Sequence, residues 1–241
     1  MQIDDDSLAR SGIELHRHAE VGTMASALAA AVEAALVQAL AVRGEASLAV
    51  PGGRTPLPLF SRLAQRDLDW ARVHVTLTDE RIVPVTDPLS NERLVREHLL
   101  QGAAAGARFH PLMNGHEDPE ARAQAAWEQL AWLPRPFDAV VLGMGEDGHI
   151  AGLFPGVPSN TLDPAAAPGC VTTTAPVAPV ERLSLNLAAL LDARRLWLVL
   201  AGPAKLAVLV EALRPSPIKA LPVRALLTQT VVPVRVEYAP G

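Results

Sequence analysis

The 241-residue chain has a single cysteine, Cys170, so it forms no internal disulfide and asks for no oxidising compartment. It lacks a basic excess: 21 Lys and Arg face 26 Asp and Glu, a formal net charge of −5. That balance argues against a protein that coats nucleic acid or an anionic membrane. Aromatic residues make up only 4%. The four tryptophans, Trp70, Trp127, Trp132 and Trp197, are scattered, which suits core or groove packing rather than a stacking platform. No period of 20–50 residues repeats, which excludes solenoids and propellers. The most apolar long stretch, Met24 to Val42, carries Glu33, Gln38 and many alanines. It reads as a soluble helix, not a membrane span. Residues Met1 to Asp6 are acidic where a signal peptide is basic. The expectation is a soluble, cytoplasmic protein, a monomer or small homo-oligomer. No composition shift divides it, so residues 1–241 form one domain.

What is present is an alternation of two patterns. Short apolar or β-branched runs at Ala46–Val50, Val73–Thr78, Phe137–Leu142, Leu196–Leu200 and Val231–Tyr238 read as strands, with a further short strand near Val171. Pro233 marks the last of the main runs as an edge strand or a bulge. Helical patterns fill Ala19–Arg43, Pro56–Gln65, Ser90–Leu100, Pro119–Leu133 and Ala204–Leu213. This order predicts a Rossmann-like three-layer α/β/α sandwich around a mostly parallel sheet. In such sheets ligands bind beyond the carboxyl ends of the strands, where loops converge. Four clusters fall at predicted strand ends: 51–55, 79–81, 143–149 and 202–205.

Each cluster has a functional and an ordinary reading. Gly52, Gly53, Arg54 and Thr55 lie between a strand and a helix and offer backbone N–H groups, a guanidinium and a hydroxyl to a phosphate. The same loop alone equally suits a tight turn that binds nothing, and it lacks the Gly-Lys-Ser/Thr of a Walker loop. Gly143 to Gly148 matches G-x-G-x-x-G, but Pro155 and Pro158 follow too soon for a dinucleotide fold, and Asp163 has no strand before it. No cofactor is expected. His149, alone among seven histidines, sits in a glycine-rich turn after a buried strand, two residues from Asp147. An imidazole titrates near neutrality and a neighbouring carboxylate orients it, so the pair suits proton transfer; a structural turn cap is the alternative. His16, His18, His110 and His116 read as solvated loop histidines, and no metal site is expected. Asp79, Glu80 and Arg81 are either a site or a surface ion-pair cluster. Lys205 opens a helix, where a cation opposes the helix dipole, and that local conflict flags it.

In this order the clusters resemble the 6-phosphogluconolactonase family. The matching stretches are PGGRTP at 51–56, TDERIVP at 78–84 with Ser90 and Asn91 following, FDAVVLGMGEDGHIAGLFPG at 137–156, ERLSLNLAALL at 181–191, and the lysine after AGPA at 201–204. The resemblance implies an α/β/α fold shared with glucosamine-6-phosphate deaminases and ribose-5-phosphate isomerases. It implies hydrolysis of 6-phospho-D-glucono-1,5-lactone to 6-phosphogluconate, the second step of the oxidative pentose phosphate pathway, without a metal. The partner it implies is a small phosphorylated sugar lactone. By the same resemblance His149 is similar to the family's general base and Asp147 to its neighbouring acid. Gly52, Gly53, Arg54, Thr55, Arg81 and Lys205 fall where the family grips the phosphate, Asp79 where it has an active-site carboxylate, and Gly145 and Arg182 at further substrate positions. Two departures stand out: Pro51 and Arg54 replace serines common in the loop, and Gly152 replaces a common Ser, which loosens that turn.

The mechanism expected on this basis has neutral His149 taking a proton from water as it attacks the lactone carbonyl, with backbone N–H groups of the 143–149 turn as candidate oxyanion donors. A sugar-phosphate deaminase or isomerase is the nearest alternative. Its pattern has a carboxylate five residues after the histidine, where this chain has Phe154. A non-catalytic sugar-phosphate sensor is the alternative of another class, and it would carry a basic helix-turn-helix segment.

Overall fold

A computed structural model describes residues 13–241; the acidic Met1–Asp6 stretch lies outside the described residues. Among the described residues ten strands form: β1 Glu14–Arg17, β2 Ala46–Val50, β3 Val73–Leu77, β4 Asp79–Arg81, β5 Arg108–His110, β6 Ala139–Gly143, β7 Cys170–Thr174, β8 Glu181–Leu185, β9 Leu196–Ala201 and β10 Val234–Ala239. Seven of them make one sheet in the order β1-β10-β9-β6-β2-β3-β5, with every pairing parallel. β2, β3, β6 and β9 read as nearly unbroken apolar runs because helices cover both faces of a parallel sheet. The α/β sandwich with a mostly parallel central sheet is therefore as expected.

The helix Val21–Arg43 turns Met24, Leu28, Val32, Ala35, Leu36 and Ala39 inward at three- and four-residue spacing and packs on β2 and β10. Its length and apolar character come from that packing, with small alanines letting it lie close to the sheet. Gly44 ends it in a left-handed conformation, its N–H donating to the Leu40 carbonyl at 2.9 Å. The helices Leu57–Leu63, Asn91–His98, Pro119–Leu130 and Pro203–Ala212 match the sequence patterns to within a few residues.

Several details depart from the sequence reading. β10 lies inside the sheet, between β1 and β9, because Pro233 precedes the first paired residue and costs the ladder no hydrogen bond. Trp70 and Trp197 are core residues, but Trp132 is 88% exposed. His18 is not a solvated loop residue: its Nε2 lies 2.5 Å from buried Glu237. His110 belongs to β5 and bonds His74 Nδ1 through Nε2 at 2.9 Å, the two rings stacked.

The second sheet, β4-β8-β7, is small and antiparallel. Thr78 turns the chain from one sheet into the other. Its N–H donates to the Val50 carbonyl on β2, and its carbonyl accepts from Leu185 N–H at the end of β8. The charged triplet Asp79–Arg81 is thereby drawn off the large sheet and laid across the carboxyl ends of its central strands. β2 and β6 are neighbours there, yet β2 leads toward β3 on one side while β6 leads toward β9 on the other. Such a reversal opens a crevice between the two departing loops.

Candidate active site

The crevice is a cleft of about 230 Å³. It is lined by Pro51 to Pro56 after β2, Asp79 and Arg81 from β4, Asn91, Gly143 to Gly145 and His149 after β6, Ala151, and Lys205. All four predicted clusters thus meet in one place, although up to 150 residues separate them in the chain.

His149 is held by its own turn. Its Nδ1 lies 2.6 Å from Asp147 Oδ1, and its backbone N–H donates to the same oxygen at 3.2 Å. A carboxylate accepts, so Nδ1 carries the proton and Nε2 is left with its lone pair, without a protein partner among the described residues. Burial acts to raise the Asp147 pKa, but the hydrogen bond and charge of His149 outweigh it and hold the carboxyl below its ordinary value. Asp147 does not line the cleft; it acts through the imidazole. Gly145 is required by this arrangement, because a Cβ there would stand 2.2 Å from His149 Nδ1 and 2.4 Å from Asp147 Oδ1. On its other side the imidazole meets the Phe154 ring, centroids 4.6 Å apart. The position where a deaminase-type pattern has an acid is thus filled by a hydrocarbon wall.

Three of the turn's own N–H groups are already engaged, which narrows the expected oxyanion donors there to the rest of the turn. Gly145 N–H donates to the His149 carbonyl, Gly148 N–H to the Gly145 carbonyl, and His149 N–H to Asp147. By contrast, among the described residues the N–H groups of Gly52, Gly53, Arg54 and Thr55 donate to no protein acceptor, and all four residues line the cleft. A row of unpaired donors beside two cations suits an anion. The cations are Arg54 and Lys205, whose Nζ lies 3.4 Å from Thr55 Oγ1. Burial, together with nearby Arg54, depresses the Lys205 pKa against the opposing pull of Glu146.

Asp79 is 8% exposed, and its carboxyl faces the same cleft. Burial raises its pKa, opposed by the charges of Arg81, His149 and Arg182. It is no surface ion pair. Glu80 points the other way: it accepts from the backbone N–H groups of Arg81, Asn91 and Glu92 at 2.6–2.7 Å and from Ser90 Oγ at 3.1 Å. It thereby anchors the start of the helix Asn91–His98. Arg81 reaches the cleft with Nη1 donating to the Leu89 carbonyl.

Arg182 lies behind this wall and does not line the cleft. It pairs with Arg81 across β4 and β8, donates to the Pro179 carbonyl, and sits 5.8 Å over the Phe154 ring. Gly152 tightens its turn where looseness was expected. Its N–H donates to Ser184 Oγ at 3.0 Å, and a Cβ would come within 2.9 Å of Ser184 Cβ. Asn91, Met144 and Ala151 are lining residues that sequence reasoning did not single out as site residues. Among the described residues no group of three or more His, Cys, Asp and Glu is placed to hold a metal ion. The Cys170 thiol is buried, which pushes its pKa up to about 12, so it offers no nucleophile.

Comparisons with known proteins bear on this geometry. The family described as glucosamine-6-phosphate isomerases/6-phosphogluconolactonase matches residues 19–233. The chain is 43% identical to a 6-phosphogluconolactonase of Rhizobium meliloti (strain 1021) over 228 residues, covering 94% of this chain and 98% of that protein. It is 42% identical to a 6-phosphogluconolactonase of Pseudomonas putida, covering 90% of each chain. The crystal structure of a 6-phosphogluconolactonase from Shewanella baltica OS155 superposes with a TM-score of 0.89 at 42% identity, over 94% of this chain and 97% of that one.

Proposed function

The chain belongs to the family of glucosamine-6-phosphate isomerases and 6-phosphogluconolactonases, and from that membership we infer its reaction and the part each residue plays in it. It is an enzyme that hydrolyses 6-phosphogluconolactone to 6-phosphogluconate. The observation that carries the assignment of roles is the shared cleft: an imidazole with a free Nε2 at one end, and unpaired backbone donors with two cations at the other.

The phosphate occupies the Gly52–Thr55 loop, with Arg54 and Lys205 supplying positive charge and the Thr55 hydroxyl a further donor. Binding that end places the lactone C1 near His149. Water attacks C1 as Nε2 takes one of its protons, and the carbonyl becomes a tetrahedral oxyanion. The C1–O5 bond then breaks and Nε2–H returns the proton to O5, opening the ring. The new carboxylic acid loses its proton to solvent. Asp147 keeps the imidazole in the reactive tautomer and offsets the charge it acquires. Arg81 lines the cleft near Asp79 and adds positive charge to the bound substrate. A lactone carbonyl is electrophilic enough that these groups suffice without a metal. The emerging carboxylate is repelled by Asp79 and Asp147, which favours release.

The test is the decay of freshly made 6-phosphogluconolactone at neutral pH with and without protein, coupled to 6-phosphogluconate dehydrogenase, with ammonia release from glucosamine-6-phosphate run in parallel. Acceleration of the lactone alone is expected. Ammonia release without lactone turnover would instead place the protein among the deaminases.

A further inference from the structure

Asn91 is 1% exposed and lies in the cleft wall at the start of its helix. Its Nδ2 donates to the Asp79 carbonyl at 2.8 Å, which fixes which end of the amide is nitrogen. Its backbone N–H donates to Glu80 Oε1 at 2.7 Å. Its Oδ1 is buried and accepts no hydrogen bond. That oxygen lies instead against Gly52. A Cβ built on Gly52 would be 1.8 Å from Oδ1, 2.2 Å from Cγ and 2.6 Å from Nδ2, and no other residue comes as near. Gly52 has no left-handed backbone angle, so the close approach of Asn91 accounts for the missing side chain there.

The amide is therefore wedged between two walls with different tasks: the loop proposed to hold phosphate, and the Asp79 strand beside His149. A side chain kept only for packing has no reason to leave a buried acceptor unpaired. We propose that Asn91 is a positioning residue that sets the distance between the phosphate loop and the Asp79–His149 end of the cleft. It thereby matches the cleft to the span from phosphate to C1 of one sugar phosphate. This rests on the reaction assigned above and deepens it: the residue selects substrates by length, without reacting with them.

A ligand that fills one end does not sense that distance, whereas one that spans both does. Asn91→Ala is expected to lower kcat/KM for 6-phosphogluconolactone by up to ~10²-fold, the scale of a misplacement near 1 Å. The Kd for inorganic phosphate should stay near the wild-type value. Asn91→Leu, which roughly keeps the volume, offers the Asp79 carbonyl no donor and brings no charge to the phosphate loop, should likewise lower kcat/KM and leave the phosphate Kd near wild type if the alanine variant folds poorly. The reciprocal test uses Gly52→Ala, whose three nearest clashes are all with Asn91: adding Asn91→Ala should restore its phosphate binding and its Tm. Wild-type kcat/KM in both Asn91 variants would overturn the proposal. So would a loss of phosphate affinity as large as the loss of kcat/KM, which would make Asn91 a ligand or a general fold support. A double variant no better than Gly52→Ala would refute the contact itself. Since the rescue is read by phosphate binding and Tm, it stands or falls even if the wild-type protein fails to hydrolyse the lactone.

Discussion

The two edges of the central sheet treat buried charge in opposite ways. At the amino ends, Asp138 just before β6 is 2% exposed and fully partnered: it accepts from Ser47 N–H at 2.9 Å and pairs with Arg43 and Arg194. At the carboxyl ends, Asp79 is nearly as buried, yet among the described residues its carboxyl has only the Thr78 hydroxyl at 3.4 Å, and it lines a cleft. The same edge carries a free imidazole nitrogen, four unpaired N–H groups and a lysine with a depressed pKa. A charge satisfied by its own protein stabilises the fold, whereas one left unsatisfied waits for a ligand. The contrast marks the site independently of any relative: at this edge several groups with nothing to bind inside the chain meet around one cleft.

The sharpest way to test this division is at His149. His149→Asn should lower kcat by about 10²–10⁴-fold, the usual worth of a positioned base. Because the turn's other hydrogen bonds remain, Tm and the Kd for 6-phosphogluconate should stay close to wild type. Steady-state kinetics beside calorimetry check both, and a variant with near-normal turnover would remove His149 from the mechanism. Asp138→Ala is the mirror image. Removing this carboxylate leaves the buried Ser47 N–H without its acceptor, while Arg43 and Arg194 are exposed enough to be solvated, so the cost is about 1–3 kcal/mol. Denaturant unfolding should show that loss, while kcat of the protein that remains folded is unchanged; a reduced kcat in that fraction would break the comparison.

Lys205 gives a third, smaller contrast. Lys205→Met should weaken 6-phosphogluconate binding by about 10–100-fold, the range for losing a hydrogen bond from a charged donor. Its pKa lies below the ordinary 10.5 because burial disfavours the charge. The cation is therefore lost earlier than a free lysine's as pH rises. Wild-type affinity should thus begin to fall at a pH below the usual lysine range, and Lys205→Arg should hold it flat there. Calorimetry across alkaline pH reads this directly. Parallel curves for wild type and the arginine variant would assign the titration to another group.

Much of this was legible in the sequence where local chemistry coincides with structure. β2, β3, β6 and β9 are apolar runs followed by glycine or charge, and the loops after them are the site. What escaped was set by partners distant in the chain. Asp79–Arg81 has no strand pattern of its own and becomes β4 only because β8 pairs with it, a hundred residues later. Asn91 was visible as part of a motif, but its task depends on Gly52 lying against it, which no local spacing encodes. Arg182 shared a motif with the site and yet ended behind it. Phe154 shows the reverse: absence of a carboxylate at one position already favoured lactone chemistry, and its ring proves to wall the imidazole.

The smallest effect concerns the histidine pair at the far strand of the sheet, away from the cleft. His110 is half-buried against His74 and near Arg108, and that partial burial first, then those two charges, lowers its pKa from the ordinary 6.5. The folded state therefore binds the proton less readily than the unfolded chain. Stability from this group is present in full above about pH 6.5 and drains away as pH falls below it, ceasing to change only once His110 is protonated in the folded state too. Scanning Tm from pH 7.5 to 5 should show a decline that His110→Gln makes shallower, while the pH profile of kcat/KM is the same in both proteins. A changed kcat/KM profile would mean that the outer strand communicates with the cleft, and the separation between stabilising and reacting groups would fail there first.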